Sequence, residues 1–259
     1  MTLKAIIFDV DGTLAETADV RRAAFNQAFT EVGLDWVWNR AVYAQVMACA
    51  LPGAELEYYT AMRHPEMFNR LERNGWLERI PRRANDIYLG LLEAGAAPLR
   101  PGVARLMAEA LSEGVRLALC STGPRAEAEI LLFNRFGREM LDALSASVSA
   151  EDLQGTSPVQ AYRRTLERLG VPASSAAAFD DSARGVAAAA SLGLCVIAAP
   201  SLYTLADRFV GARLVISDLG HPAAPFAVLD GMPPPGGHMS LAALRGIHGQ
   251  ATGMAVQAA

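Results

Sequence analysis

A short apolar run that ends in two closely spaced acids is the feature that most constrains how this chain folds. Residues 4–10 read KAIIFDV, and Asp9, Asp11 and Gly12 lie in the segment DVDGT. A continuous apolar stretch of this length, closed by a glycine turn, is typical of a parallel strand buried on both faces. In open α/β sheets the ligand site lies beyond the carboxyl ends of such strands. The acid pair therefore predicts a polar site at the end of a buried first strand.

Alternating strand and helix patterns in the second part of the chain predict the rest of this sheet. Apolar runs typical of strands recur between helix-like periods, at residues 115–121, 141–149, 175–182, 194–200 and 213–218. Helix-like segments between them begin at prolines or end at glycines, as at Pro124 and Gly193. This alternation predicts an α/β fold with a Rossmann-like, doubly wound parallel sheet.

Residues 16–92 interrupt the alternation with helix periodicity alone. Apolar residues recur there at spacings of three and four, and the stretch 97–103, APLRPGV, reads as a linker. We therefore predict a small all-helical cap domain inserted after the first strand. The predicted domains are a core of residues 1–15 and 98–230, a helical cap of residues 16–97, and a C-terminal tail of residues 231–259 with a short helix.

Polar residues close three of the predicted strands, and the carboxyl ends of parallel strands meet in one crevice. These residues are Asp9 with Asp11, Ser121 with Thr122, and Asp180 with Asp181. Clustered carboxylates repel one another when ionised, so a cation is needed to hold them together, and oxygen ligands suit Mg²⁺. A carboxylate can attack phosphorus, and a second acid can protonate the leaving oxygen and then activate water. The alternative is that the acids only cap the following turns.

The composition argues against several other classes of protein. The net charge is −4 and basic residues form no block, which argues against a nucleic-acid-binding protein. No apolar run approaches the roughly 20 residues that span a bilayer. The three cysteines are scattered without C-x-x-C spacing, which fits a reduced cytoplasm rather than a zinc or disulfide framework. We predict a cytoplasmic protein, a monomer or weak homo-oligomer, that acts on a small molecule without nucleic-acid or membrane partners.

These motifs resemble those of the haloacid dehalogenase superfamily of phosphatases. The matching motifs are, in order, DVDGT, the strand-end serine in LALCST, a later helix start and FDDSARG. The helical insertion is similar to the small cap of that family, and stretches such as AFNQAF and APSLYT resemble its CbbY-type sugar-bisphosphate phosphatases. The resemblance implies a Mg²⁺-dependent phosphatase of a small phosphosugar similar to xylulose-1,5-bisphosphate, acting through an aspartyl-phosphate.

The resemblance also implies roles for individual residues. It implies that Asp9 is the nucleophile, that Asp11 is the general acid and base, and that Ser121 holds a phosphoryl oxygen. It implies that Asp181 binds Mg²⁺ with Asp9 and the carbonyl of Asp11, and that Asp180 assists. Contacts to the substrate are expected from Gly12, Thr13, Glu16, Arg21, Thr122 and Arg125.

Two positions depart from the pattern of the family. Thr156 in TSPVQAY and Ala54 in LPGAE stand where lysines are usual, and Lys4 is the one lysine beside 22 arginines. Loss of one such electrostatic stabiliser typically costs about two to three decades of rate. Three alternatives stay open: replacement of the lysine by an arginine such as Arg125 or Arg184, a catalytically impaired protein that binds a ligand or partner, and a phosphosugar mutase.

Overall fold

A seven-stranded sheet organises the larger part of the molecule. The computed structural model describes residues 2–51 and 53–257, with side chains described up to residue 250. The strands are β1 (Ala5–Asp9), β2 (Arg116–Cys120), β3 (Ala146–Val148), β4 (Ala176–Asp180), β5 (Cys195–Ala198), β6 (Leu214–Ile216) and β7 (Val228–Gly231). Their order is β3-β2-β1-β4-β5-β6-β7, and neighbours are parallel except β6 and β7, which are antiparallel. The predicted α/β fold with a doubly wound sheet is confirmed.

Helices connect the strands and form a second unit by themselves. They are α1 (Ala18–Glu31), α2 (Arg40–Cys49), α3 (Glu55–Arg63), α4 (Pro65–Arg73), α5 (Trp76–Glu93), α6 (Val103–Ser112), α7 (Arg125–Phe136), α8 (Arg138–Ala143), α9 (Pro158–Leu169), α10 (Ala183–Ser191) and α11 (Leu241–Gln257). The chain divides into two compact units, one of residues up to 16 with those from 98 onward, the other of residues 17–97. None of the helices described combines the length and apolarity needed to cross a bilayer.

Burial on both faces explains the apolar composition of β1, an interior strand of the sheet. Its first four residues are fully buried. Because successive side chains of a strand point to opposite faces, Ile7 packs in one core with Tyr162 of α9 and Val186 of α10. Phe8 points to the other face and stacks on Phe179 of β4, with ring centroids 5.1 Å apart. Apolar packing on both sides therefore fixes the strand whose end carries the acid pair.

The unit of residues 17–97 is held by a cluster of aromatic side chains. Trp38 is fully buried, with its ring centroid 4.6 Å from that of Phe25 and 5.0 Å from that of Phe29. Trp36 stacks on His64 with ring centroids 4.5 Å apart. Aromatic pairs at such distances add to the stabilisation that burial gives, so the helices of this unit have a core of their own.

The chain after residue 227 contains a strand that the sequence did not predict, followed by the helix α11 in the predicted tail. It forms β7, whose residues are all exposed and therefore lack the apolar pattern by which strands are recognised. Farther on, Met239 and Leu241 are buried, and Arg105 of α6 donates to the carbonyl of Met239 at 3.0 Å. The described part of the segment predicted as a tail thus packs onto the unit that contains the sheet.

Candidate active site

The carboxyl ends of β1 and β4 place three aspartates side by side. Asp9 ends β1, Asp180 ends β4, and Asp181 follows directly. The two strands are parallel neighbours with Phe8 paired to Phe179, so the residues that follow them emerge at one edge of the sheet. One carboxylate oxygen from each aspartate lies within 4.8 Å of those of the other two. Strand order changes direction beside β1, which makes this edge a topological switch point, the usual place for a ligand site.

Burial and mutual repulsion raise the pKa values of these acids. Asp9 is partly exposed as a residue, yet burial is the largest cause that raises the pKa of its carboxyl well above the usual range. The charges of Asp180, Asp181 and Asp11 raise the pKa further. Burial also raises the pKa of Asp180, and raises the pKa of Asp181 to about 7. The carboxylates therefore need positive charge nearby in order to be ionised together at neutral pH.

The arrangement fits a divalent cation with oxygen ligands. The donors are all carboxylate oxygens, as Mg²⁺ prefers. Gly12, with φ of +79°, brings its backbone directly against one of these acids, because a Cβ at this position would lie only 2.6 Å from Cγ of Asp181. Thr204, which the sequence did not single out, donates its hydroxyl to Oδ2 of Asp181 at 3.1 Å. Backbone and hydroxyl together orient Asp181 toward the other acids.

Asp180 is held in place by hydrogen bonds to both of its oxygens. Its Oδ2 accepts from the hydroxyl of Tyr162 at 2.7 Å, and its Oδ1 accepts from the backbone nitrogen and the hydroxyl of Ser182, each at 2.9 Å. A side chain at Gly185 would overlap the carboxylate of Asp180, so the start of α10 also confines it. Because both carboxylate oxygens of Asp180 already accept hydrogen bonds, Asp180 is better suited to orient the other acids than to bind the cation directly.

Asp11 lies in the loop after β1, residues 10–14 (the acid loop), and both Asp11 and Ser121 lie beside Gly123. Ser121 follows β2 and is buried, and its Oγ accepts from the backbone nitrogen of Gly123 at 2.9 Å. A Cβ built on Gly123 would lie 3.3 Å from Oγ of Ser121 and 3.6 Å from Oδ2 of Asp11, so both side chains flank the same glycine. Asp11 is exposed as a residue and Thr122 is partly buried. A carboxyl and a hydroxyl that the sequence separates by more than 100 residues are thus both close to Gly123.

Other residues predicted to contact substrate have different surroundings. Thr13 of the acid loop is fully buried. Glu16 has its Oε1 3.5 Å from Nε of Arg100, so it forms an ion pair within the unit that contains the sheet. Arg21 belongs to the helical unit, where its guanidinium carbon lies 3.8 Å from the centroid of the Tyr88 ring.

Of the two arginines considered as replacements for the family's lysine, Arg125 is bound to other residues and Arg184 is exposed. Arg125 donates from one guanidinium nitrogen to both carboxylate oxygens of Asp152 at 3.0 Å, and its backbone nitrogen donates to Glu151 at 3.1 Å. Arg184 is exposed in the first turn of α10, and Thr156 is exposed in the loop before α9. The predicted contact of Arg125 with substrate therefore requires its pair with Asp152 to open.

Arg100 is a buried arginine that the sequence did not single out. One terminal nitrogen donates to the carbonyls of Gly12 at 2.5 Å and Ala199 at 2.6 Å. The other donates to the carbonyls of Pro200, at 2.9 Å, and Ser217. In the sequence this residue is only a lone arginine in the turn-like stretch LRPG, and a residue that binds carbonyls has no motif by which to find it.

Known proteins are similar to this chain in both sequence and fold. Residues 3–193 match the model of the haloacid dehalogenase-like hydrolases. Protein CbbY of Cupriavidus necator is 36% identical over 224 residues, which cover 86% of this chain and 88% of that protein. The structure of CbbY from Rhodobacter sphaeroides in complex with phosphate has a TM-score of 0.70 and 31% identity, and the match covers 84% of this chain and 95% of that one. A point variant of the same protein in complex with xylulose-(1,5)bisphosphate matches with a TM-score of 0.70, 30% identity and the same coverage.

Proposed function

The chain belongs to the haloacid dehalogenase-like hydrolase family, and on this premise we propose that it is a Mg²⁺-dependent phosphatase of a small phosphorylated sugar. The observation that carries the proposal is the cluster of Asp9, Asp180 and Asp181, with carboxylate oxygens within 4.8 Å of one another. The Rhodobacter sphaeroides relative is described in complex with xylulose-(1,5)bisphosphate. A sugar bisphosphate of that kind is the substrate that we propose for this chain.

In the proposed reaction Asp9 is the nucleophile. A carboxylate oxygen of Asp9 forms a bond to phosphorus while the ester P–O bond breaks, and Asp11 gives its proton to the leaving sugar oxygen. Asp11 then takes a proton from a water molecule that attacks the same phosphorus. This second step breaks the bond between phosphorus and Asp9, releases inorganic phosphate and restores both acids. The exposure of Asp11 supports its role, because the proton must pass between sugar, acid and water.

Neighbouring groups would bind the phosphoryl oxygens. The Oγ of Ser121 accepts from the backbone nitrogen of Gly123, so its own proton can be donated, and we assign it to a phosphoryl oxygen. Gly12 has a positive φ and no side chain, so its backbone can come close to the phosphoryl group. Donors fixed before the reaction stabilise the developing charge without reorganising.

Asp9 and Asp181, with the carbonyl of Asp11, would hold Mg²⁺, and Asp180 would orient them from behind. When bound, Mg²⁺ supplies the positive charge that keeps these carboxylates ionised and offsets the charge of the phosphoryl oxygens. The raised pKa values of Asp9 and Asp181 support this requirement, since burial and repulsion disfavour their charged forms.

The remaining expectations from the sequence belong to the same proposal. We propose that the helical unit, residues 17–97, acts as the cap domain and determines which sugar is accepted. A cytoplasmic location agrees with the three free cysteines. A monomer or weak homo-oligomer is the expected state.

A second candidate function is supported by the positions of the missing lysines. Thr156 and Ala54 carry no charge, and Arg125 is paired with Asp152. A protein that binds a phosphosugar but turns it over poorly would show this pattern.

A panel of phosphate esters tests the two functions against each other. The panel contains xylulose-1,5-bisphosphate, other sugar phosphates and phosphoglycolate, each assayed for phosphate release with Mg²⁺ and with a chelator. The proposal predicts release that depends on Mg²⁺ and is fastest with a sugar phosphate. Tight binding of a sugar phosphate by calorimetry, without any release, would instead establish the second function.

A further inference from the structure

Arg100 joins three segments of the chain that surround the aspartate cluster. The carbonyls that it binds belong to the acid loop after β1 (Gly12), the segment after β5 (Ala199 and Pro200) and the segment after β6 (Ser217). A guanidinium carries five N–H donors in a fixed plane, so one side chain can hold several carbonyls in a set geometry. Because Arg100 makes four such contacts, it fixes the positions of these three segments relative to one another.

The backbone of Arg100 is itself attached to the acid loop. Its nitrogen donates to the carbonyl of Leu14 at 2.9 Å. The neighbouring residues Ala15 and Leu99 form an antiparallel bridge. The two segments through which the chain leaves and re-enters this unit are therefore paired, and Arg100 extends from that pair into the protein interior.

The contact with Gly12 reaches the metal-binding acids. The backbone of Gly12 lies against the carboxylate of Asp181, as the 2.6 Å between a hypothetical Cβ and Cγ shows. A displacement of the Gly12 carbonyl would thus change the space available to Asp181.

All the donors of Arg100 have partners within the protein. The four N–H groups of its terminal nitrogens face carbonyls, and its Nε lies 3.5 Å from Oε1 of Glu16. Only about 5% of its surface is exposed. Arg100 therefore has no donor for a phosphoryl oxygen, and this excludes it as a replacement for the lysine of the family.

We propose that Arg100 is a positioning residue for the reaction, which fixes the acid loop and Asp181 in the geometry that binds the cation. The inference rests on the proposed function of the site, and it adds a residue that acts through the backbone of Gly12 rather than by touching the substrate. Loss of the four carbonyl contacts of Arg100 (the Arg100 clamp) would loosen the cation site and lower turnover while leaving substrate binding in place.

Arg105 offers a matched control in the same unit. It also binds carbonyls, those of Met239 at 3.0 Å and Gly220 at 3.1 Å, and it pairs with Glu109 at 2.9 Å. These partners belong to α6 and to the segment 219–239, not to the acid loop. Substitution of Arg105 therefore removes a comparable set of carbonyl contacts, none of which involves Gly12.

The test compares Arg100→Lys with Arg105→Lys. Lysine keeps the charge but presents one nitrogen, so it cannot hold four carbonyls at once. For Arg100→Lys we expect kcat to fall about 10- to 100-fold and Mg²⁺ binding to the free protein, measured by calorimetry, to weaken by a similar factor. KM for the sugar phosphate should change less than about twofold, because no substrate contact is lost. For Arg105→Lys we expect kcat and Mg²⁺ affinity close to those of the wild type.

A second variant keeps the inference testable if lysine disturbs the fold. Arg100→Ala leaves space for a free guanidinium ion, which at low concentration should restore part of the lost turnover, whereas the same ion should not affect Arg105→Ala. Equal kcat and Mg²⁺ affinity in the Arg100 and Arg105 variants would overturn the inference. So would failure of both Arg100 variants to fold, since Arg100 would then serve folding alone. A wild type without turnover would refute the proposed function, and the Mg²⁺ measurement would still decide the role of Arg100.

Discussion

Replacement of Gly12 by alanine tests how closely the backbone must approach the cation site. Gly12 has φ of +79°, and a Cβ at this position would lie 2.6 Å from Cγ of Asp181. Ordinary van der Waals contact begins at 3.4 Å, so the methyl group would overlap Oδ2, the nearest atom of Asp181, and would overlap Cγ by 0.8 Å. Either the acid loop or Asp181 has to move by about that distance.

Two costs of this substitution can be separated. An alanine at positive φ costs about 1–2 kcal/mol of stability wherever it is placed. The displacement of Asp181 acts on catalysis, since a misplacement of about 1 Å in a reacting group can cost roughly 100-fold in rate. We therefore expect kcat of Gly12→Ala to fall about 10- to 100-fold and Mg²⁺ to bind more weakly.

Gly114→Ala is the matched control. Gly114 has φ of +70° and no atom within 4 Å of a hypothetical Cβ, so it carries the backbone strain without the clash. Both variants should unfold at reduced temperatures, measured by thermal denaturation, and Gly12→Ala should lose more stability because it adds the clash to the strain. Only Gly12→Ala should lose turnover and Mg²⁺ affinity in assays of phosphate release and calorimetry. Equal kinetics in the two variants would refute the reasoning that Gly12 is needed for its closeness to Asp181.

Two further predictions concern charge at the site. Burial raises the pKa of Asp181 to about 7, above the value of about 4 expected in the unfolded chain, so the metal-free protein should lose stability as pH rises from about 4 through 7. For Asp181 this loss of folding free energy is on the order of 4 kcal/mol. Bound Mg²⁺ should reduce the loss, and Asp181→Asn should remove it. A denaturation midpoint that depends on pH in the same way in Asp181→Asn as in the wild type would contradict the assignment. Thr156→Lys should raise kcat by about tenfold or more if the missing lysine limits the rate, whereas Gln154→Lys, an equally exposed position of the same loop, should leave it unchanged. An equal effect of both lysines would point to a general change in surface charge.

The sheet and the aspartate cluster were predictable because their signals are local. An apolar run marks β1 and another marks β4, and in a parallel sheet the end of each strand fixes where Asp9 and Asp180 emerge. The rule that ligands bind at carboxyl ends then brings residues together that are 171 positions apart in the sequence. β7 escaped prediction because its exposed residues carry no apolar alternation.

The residues that hold the aspartates in place could not be predicted, because their contacts leave no local pattern in the sequence. Arg100 binds backbone carbonyls, which every residue has, so the identity of its partners leaves no mark on the sequence. Thr204 reaches Asp181 from the loop after β5, and only the folded loop decides which hydroxyl arrives there. Tyr162 is intermediate, because it ends the TSPVQAY run that was compared with the family, although its hydrogen bond to Asp180 appears only in the structure.

Turnover by Asp9→Asn tests the central claim most directly. Asparagine keeps the size of the side chain but removes the nucleophilic carboxylate, and Asp35→Asn in the other unit serves as the control. The account predicts that Asp9→Asn binds the sugar phosphate and releases no phosphate with Mg²⁺ present, while Asp35→Asn behaves as the wild type. Phosphate release by Asp9→Asn at the rate of the wild type would contradict it.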